Sequence, residues 1–260
     1  MKFKSSTPYG IASRLLGVAI IQIAAVSIVA PALAGGLLDK HAGQLIVAVA
    51  PNWDTHRGTL SCYERTSSGW KRVVFRQPVP VLFGRSGLAW GRGAIPIPDK
   101  GRVKREGDRR APAVCFSVGK VFGYAGNLPR GARYPYRQVG KWDAWVDDVR
   151  NPYYNRHIVV DPRNVPPWFE KQRMRLGDFA YKWLIEIRHN ADPPKPGFGS
   201  AIFFHIRRGP DRPTSGCTTM EEANLEKIIA WLRADKRPHY VLLPALEYRK
   251  KQRAWGLPAL

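Results

Sequence analysis

The sequence predicts a domain that is mostly β structure with a few helices, an α+β fold. Short apolar runs separated by Gly, Pro and Ser turns fill residues 44–93, which is typical of antiparallel strands. Residues 181–188 largely alternate apolar and polar side chains, as a half-buried strand does. One amphipathic helix follows near the C-terminus, with apolar residues at helical spacing: Leu225, Ile228, Ile229 and Leu232.

The first half of the chain contains several expected strands. They lie at residues 45–50, 59–65, 70–75 and 113–118, and a charged loop at residues 104–108 precedes the last of them. Residues 129–167 are rich in Tyr, Trp, Pro and Asn and show little periodicity apart from an apolar stretch at 158–160. Long irregular segments in a compact domain are often functional, so this segment is a candidate for a role in the site.

The second half of the chain places one reactive side chain, His205, on a predicted strand and another, Cys217, just before the predicted helix. Residues 200–207 predict a strand with His205 on one face, and a Gly/Pro loop at residues 209–213 follows. Thr219 with Glu222, or Thr218 with Glu221, matches a capping box at the start of the helix. The sequence therefore predicts that Cys217 lies immediately before a helix N-terminus.

The N-terminus has the features of a secretory signal peptide. Lys2, Lys4 and Arg14 precede an apolar run at residues 15–30, and small residues up to Ala34 form an Ala-x-Ala cleavage site. We expect a signal peptide at residues 1–34, export to the periplasm or cell envelope, and no stable membrane span after cleavage. The alternative is an uncleaved membrane anchor, although the run is short for one. The remaining 226 residues, 35–260, are interpreted as a single domain.

The charge is strongly positive. The formal net charge of +22 falls to +19 once the predicted signal peptide is removed. The basic residues are scattered singly and no nucleic-acid motif is present, so nucleic acid is not the expected partner. The cell wall and an anionic membrane surface are better candidates, and a generally solvated basic surface is the alternative.

Cys217 and His205 are candidates for a nucleophile and its base. A helix N-terminus and a nearby imidazole both stabilise a thiolate. Gly216 permits unusual backbone angles beside the thiol, and the amides around Gly216 and Cys217 are candidate oxyanion donors. A core histidine and a simply buried cysteine are the alternatives. The other histidines show no metal-ligand spacing.

Ordered motifs around this pair resemble the L,D-transpeptidase (YkuD) family, in its branch with a short His-to-Cys spacing. The central blocks are residues 199–205 (GSAIFFH) and 213–217 (PTSGC), and the resemblance covers about residues 85–243. Further blocks lie at residues 104–108, 112–113, 122–124, 145–148 and 154–155 and at Asn190.

The resemblance implies a β-sandwich or open barrel with a helix following the catalytic cysteine. It implies that Cys217, assisted by His205, attacks the diaminopimelate L-centre carbonyl of a peptidoglycan tetrapeptide stem and expels D-Ala. The acyl-enzyme would then pass to an amine of another stem, a lipoprotein lysine, or water. No metal or cofactor is implied. Candidate substrate or oxyanion residues are Thr214, Ser215, Gly216 and Arg207.

The sequence also departs from the family pattern. Many members have Ser-His-Gly-Cys followed closely by Arg, whereas this chain has Thr-Ser-Gly-Cys-Thr-Thr at residues 214–219. An L,D-carboxypeptidase or peptidoglycan amide hydrolase on the same scaffold, and a non-catalytic wall-binding protein, are therefore alternatives.

Other side chains have weaker expectations. Arg208 and Arg212 are candidates for contacts with stem-peptide carboxylates, or belong to a solvated loop. Trp145, Tyr153 and Tyr154 either line the cleft or are ordinary core and surface aromatics. Because three cysteines leave one unpaired in an oxidising compartment, Cys62 and Cys115 are a candidate disulfide pair. Residues 249–251 are expected to belong to a flexible basic tail.

Overall fold

The computed structural model describes residues 38–98, 100–174 and 176–260, and the predicted signal peptide lies outside this part of the chain. The described residues belong to one compact unit. Its strands are β1 (Gln44–Ala50), β2 (Arg57–Thr66), β3 (Gly69–Val73), β4 (Val79–Leu82), β5 (Leu88–Trp90), β6 (Ala111–Gly123), β7 (Tyr136–Gln138), β8 (Asp143–Trp145), β9 (His157–Val159), β10 (Leu184–Ile187), β11 (Phe203–Ile206), β12 (Thr218–Met220) and β13 (His239–Pro244).

The helices are fewer and shorter. They are α1 (Phe169–Gln172), α2 (Glu222–Trp231) and α3 (Ala245–Trp255), with two 3₁₀ turns at Phe179–Tyr181 and Ala234–Lys236. The predicted mostly β fold with a few helices is confirmed.

The main sheet closes into a barrel. Neighbouring strands follow the order β1, β13, β6, β10, β11, β12, β4, β2, and β2 returns to pair with β1. Strand β2 makes closure possible because one edge pairs with β1 while the other pairs first with β4 and then with β3. Closure leaves no free edge in the eight-stranded ring. The sheet is thus a closed barrel rather than the expected sandwich or open barrel.

Two predicted strands are shorter than expected, and both differences shape the site. Residues 179–181 form a 3₁₀ turn because the Asp178 side chain accepts the Ala180 N–H at 3.2 Å. Residues 200–202 precede β11 as a loop in which Ala201 has a left-handed backbone with φ of 53°. The irregular middle segment holds the small β8–β9 sheet and α1.

Helix α2 forms where the apolar periodicity predicted it. Leu225, Ile228, Ile229 and Leu232 are fully buried, and the helix packs against β11. Burying a side chain of this kind stabilises the fold by roughly 2 kcal/mol.

The predicted capping box is wrong. Thr218 and Thr219 belong to β12, which pairs in parallel with β11, and the N-cap is Glu221 without a side-chain hydrogen bond. β-Branched threonines favour a strand, and here pairing with β11 and the 2.9 Å hydrogen bond between the hydroxyls of Thr218 and Tyr240 favour it further.

Residues 249–251 lie in helix α3, so the expected flexible tail is also wrong. Tyr248 is fully buried and Trp255 is 4% exposed, and the Tyr248 hydroxyl donates to the carbonyl of Pro258 at 2.9 Å. Two aromatic anchors at i and i+7 hold the helix on the barrel while its basic residues face water. Gly256 ends it in a left-handed conformation with φ of 67°.

The candidate disulfide is absent, since Cys62 and Cys115 are both free, buried thiols. Cys62 lies on β2 and Cys115 on β6, and strands β1 and β13 separate them in the barrel. At about 4.8 Å between neighbouring strands, this separation exceeds the reach of a disulfide. Within the described ranges, no helix has the length and apolar character required to cross a membrane.

Truncating a buried anchor of α3 tests how far this helix stabilises the barrel. We expect Tyr248→Ala to lower the free energy of unfolding by about 3–5 kcal/mol, because a large buried side chain is lost and the Pro258 carbonyl loses one of its two side-chain donors, the other being Gln252. Leu246→Ala is the matched control on the same helix, since Leu246 is 60% exposed, and should change it by less than about 0.5 kcal/mol. Chemical denaturation measures both, and equal effects would contradict the anchoring role.

Candidate active site

A cavity of about 700 Å³ contains both candidate catalytic side chains, Cys217 and His205. Thr214, Ser215 and Gly216 also line it. The loop from β11 to β12 and the loop before β11 form parts of its wall. The structure therefore brings five of the six predicted site residues to one place.

Strand register explains why the thiol and the imidazole share the cavity. In the parallel pair β11–β12, Phe204 lies beside Thr218 and His205 beside Thr219. Cys217 directly precedes β12 and is therefore offset by two residues from His205 on the neighbouring strand. Diagonal neighbours of this kind are about 7–8 Å apart at the backbone, which is within reach of long side chains on the same face.

The thiol of Cys217 is held by backbone groups on its own side of the cavity. Its S–H donates to the carbonyl of Ala201 at 3.5 Å, and the N–H of Phe203 donates to Sγ at 3.4 Å. Burial raises the pKa of the Cys217 thiol to about 11, although the Phe203 N–H and the positive charge of Lys104 act in the opposite direction. The resting side chain is thus a neutral thiol.

The imidazole of His205 is held in one tautomer by a backbone carbonyl. Its Nδ1 lies 2.9 Å from the carbonyl of Ile206, and because a carbonyl only accepts, Nδ1 carries the proton and Nε2 keeps its lone pair. Burial lowers the pKa of His205 to about 4, and the Arg208 cation lowers it further while the Ile206 carbonyl and Asp178 oppose the shift. Tyr181 packs edge-on against the ring at 5.3 Å between centroids.

The predicted support from a helix dipole is wrong. Helix α2 begins at Glu222, and the whole of β12 separates it from Cys217. The effect of a macrodipole falls off within the first turn. With a raised thiol pKa and a lowered imidazole pKa, the resting pair is neutral rather than a thiolate with an imidazolium.

The loop before Cys217 is fixed by Thr214. The Thr214 hydroxyl accepts the N–H of Gly216 at 3.0 Å and donates to the carbonyl of Cys217 at 2.7 Å. The Gly216 amide, predicted as an oxyanion donor, is therefore engaged within its own loop. Gly216 has φ of 153°, and a Cβ there would meet the side chain of Ile202 at 3.0 Å, so a glycine is required.

Of the three arginines predicted near the site, two line the cavity and one does not. Arg207 is not among the residues that line the cavity, because its guanidinium pairs with Glu221 at the start of α2. Arg208 does line the cavity, where Asp178 holds its guanidinium in a bidentate contact at 2.5 and 2.8 Å. Arg212 lines the cavity and is exposed.

The three candidate aromatics lie outside the lining. Trp145 packs edge-on against Phe203 at 4.7 Å between centroids and so supports β11 from behind. Tyr154 is buried, and its hydroxyl donates to Glu106. Tyr153 is 46% exposed and packs on Trp168.

Two buried asparagines hold the loop that accepts the thiol. The Asn155 side chain accepts the Ala201 N–H at 3.0 Å and the Trp145 indole N–H at 3.2 Å. Its amide donates to the carbonyls of His189 and Asn190 at 2.9 and 2.8 Å. Asn155 and Asn190 belong to the ordered motif blocks of the sequence, which indicated no role for either residue.

The Asn190 side chain fixes the start of the same loop. Its amide donates to the carbonyl of Gly199 at 2.9 Å, and its oxygen accepts the N–H of Lys195 at the same distance. Ala201 is thereby held in its left-handed conformation, with its carbonyl directed at the Cys217 thiol.

Cations dominate the wall of the cavity. Five line it, against two carboxylates, Glu106 and Asp147: Arg85, Lys104, Arg109, Arg208 and Arg212. Burial raises the pKa of Asp147, and the nearby Glu106 charge adds to the effect. The excess of positive charge favours an anionic ligand. Sequence reasoning assigned no site role to Arg85, Lys104 or Arg109, because isolated basic residues in a strongly basic chain carry no distinguishing pattern.

No metal-binding group of three or more His, Cys, Asp or Glu side chains occurs among the described residues.

Comparisons with protein-family models, curated proteins and solved structures find no match to this chain. The interpretation of the site therefore depends on its own residues.

The protonation state of His205 can be measured directly. We expect its imidazole to stay neutral as the Nδ1–H tautomer down to a midpoint near pH 4, because the buried site disfavours the imidazolium. NMR of histidine-labelled protein over a pH titration reports both the tautomer and the titration midpoint of His205. The same histidine in urea-unfolded protein is the control and should titrate near the ordinary value of about 6.5. A folded-state midpoint near 6.5 would contradict the neutral pair.

Proposed function

We propose that this protein is an L,D-transpeptidase that acts on peptidoglycan stem peptides, with Cys217 as nucleophile and His205 as general base. The observation that carries the proposal is the placement of a thiol and a neutral imidazole in one cation-lined cavity. Under this proposal the closed barrel is a form of the L,D-transpeptidase catalytic domain, exported to the periplasm or cell envelope.

The acylation step follows from the resting protonation states. The Cys217 thiol transfers its proton to Nε2 of His205 as sulfur attacks the carbonyl of the diaminopimelate L-centre. The resulting imidazolium gives this proton to the departing amine of D-Ala, which leaves a thioester on Cys217. Because both groups start neutral, charge separates only during the reaction.

The deacylation step repeats the sequence with a new nucleophile. His205, neutral again, takes a proton from an incoming amine or water as it attacks the thioester, and the Cys217 thiol is restored. An amine from a second stem yields a cross-link, a lipoprotein lysine yields an anchored lipoprotein, and water yields carboxypeptidase activity. The chemistry needs no metal or cofactor.

The charge of the cavity supports this substrate class. Stem peptides carry several carboxylates, and Arg85, Arg109, Arg208 and Arg212 face the cavity that contains the thiol. Arg208 is held rigid by Asp178, so it is a preorganised anion contact. Arg85, Arg109 and Arg212 are exposed and supply longer-range attraction.

Incubation with defined disaccharide-tetrapeptides tests the proposal. Mass spectrometry should show free D-Ala and cross-linked dimers with the parent protein, and neither product with Cys217→Ala. His205→Gln should slow the reaction by about 10²–10⁴-fold, the usual contribution of a general base. The control His41→Gln, at an exposed position, should leave the rate unchanged.

The outcomes separate the alternatives. Release of D-Ala without dimers identifies water as the acceptor and makes the protein a carboxypeptidase with the same thioester. Full conversion by Cys217→Ala contradicts thiol chemistry. Binding to isolated sacculi without product formation favours a wall-binding protein.

A further inference from the structure

We propose that the buried ammonium of Lys104 is the cation that stabilises the Cys217 thiolate while the thiol proton resides on His205. This inference rests on the proposed role of Cys217 as nucleophile. Lys104 is thus assigned as a positioning residue that acts on the nucleophile through its charge.

The side chain of Lys104 is fixed inside the protein. It is 3% exposed, and its ammonium donates to the Arg105 carbonyl at 2.7 Å and pairs with Asp108. Its backbone N–H donates to the carbonyl of Trp90 at 2.8 Å. Because the cation is nearly buried and held by two partners, its position relative to the cavity is fixed.

Lys104 and Cys217 touch opposite ends of the same short loop. A Cβ on Gly199 would meet Cε and Cγ of Lys104 at 3.0 and 3.1 Å, so the absent side chain at Gly199 leaves room for the lysine stem. Two residues later, the Ala201 carbonyl accepts the Cys217 thiol. Both side chains line the same cavity.

A cation besides the His205 imidazolium is needed here because the helix N-terminus, the other expected source of stabilisation, is missing. Helix α2 begins too far from the thiol, and burial opposes the thiolate, with the Lys104 charge as a counteracting influence. The arginines of the cavity are poorer candidates, since the Arg208 charge acts on the pKa of His205 and the remaining three are exposed to water. Solvent screens an exposed charge several-fold more strongly than a buried one.

Asp108, the ion-pair partner of Lys104, allows the charge effect on the thiol to be distinguished from a structural effect. Its carboxylate offsets part of the lysine charge felt by the thiol, so removing the carboxylate and removing the ammonium should act in opposite directions. A purely structural ion pair would instead respond to the loss of either partner in the same way.

The test is the rate at which iodoacetamide alkylates Cys217 at pH 8, where the rate is proportional to the thiolate fraction. It is measured on the full chain, with Cys217→Ser subtracting any reaction of Cys62 and Cys115. We expect Lys104→Met to react at least about tenfold more slowly, as the loss of a close opposite charge shifts a pKa by about one unit or more. Asp108→Asn should react at the parent rate or faster, and Lys104→Arg should stay within about threefold of the parent.

The assay does not depend on enzymatic activity, so a failure of the proposed function leaves it interpretable. Alkylation of Lys104→Met at the parent rate overturns the inference, and so does equal slowing by Lys104→Met and Asp108→Asn. Circular dichroism establishes that each variant is folded. If Lys104→Met does not fold, Lys104→Arg and Lys104→Gln are compared instead, since the first keeps the positive charge and the second removes it. Equal alkylation rates in these two variants overturn the inference.

Discussion

The parallel pairing of β11 with β12 is the constraint on which the site depends. Parallel neighbours cannot be joined by a tight hairpin, so the chain needs a long connection between them. Residues 207–217 supply it, and they return Cys217 to the face of the sheet that carries His205. The same pairing makes β12 the link between β11 and β4 in the closed barrel. One set of backbone hydrogen bonds therefore closes the fold and brings Cys217 and His205, the proposed nucleophile and base, into one cavity.

Buried polar contacts hold the loop opposite the thiol in an unfavourable conformation. A non-glycine residue in the left-handed region costs about 1–3 kcal/mol, and Ala201 adopts it, as do Asn155 and Asn190, whose residue type tolerates this region. The Asn155 side chain makes four hydrogen bonds, to Ala201, Trp145, His189 and Asn190. These hydrogen bonds offset the local strain and keep the Ala201 carbonyl in position to accept the thiol.

The sequence predicted features that depend on local periodicity and missed those set by distant contacts. Helix α2 followed from four apolar residues at helical spacing, and its burial agrees. Strand β12 was missed because its identity depends on pairing with β11, while its threonines also fit a capping pattern. Helix α3 was missed because basic residues surround its two buried aromatics, Tyr248 and Trp255.

The site shows the same division. The pairing of Cys217 with His205 was predicted from motif order, whereas the place of Lys104 beside the loop at Gly199 depends on contacts between segments about a hundred residues apart. Charge count predicted an anionic partner but not which cations face the cavity. Arg207 and Arg208 are adjacent in sequence, yet Glu221 holds the first outside the lining and Asp178 holds the second within it.

Under the proposed function, the electrostatics of the cavity separate the attraction of the substrate from the activation of the thiol. Burial keeps Cys217 and His205 neutral at rest, which protects the thiol, since the thiolate is the reactive form. Charge must then appear only when a substrate carbonyl is present to receive the sulfur. In the role proposed for Lys104, a fixed buried cation stabilises that transient charge without reorganising, which is how preorganised sites lower a barrier. The exposed arginines that line the cavity would meanwhile attract an anionic substrate without activating the thiol before it arrives.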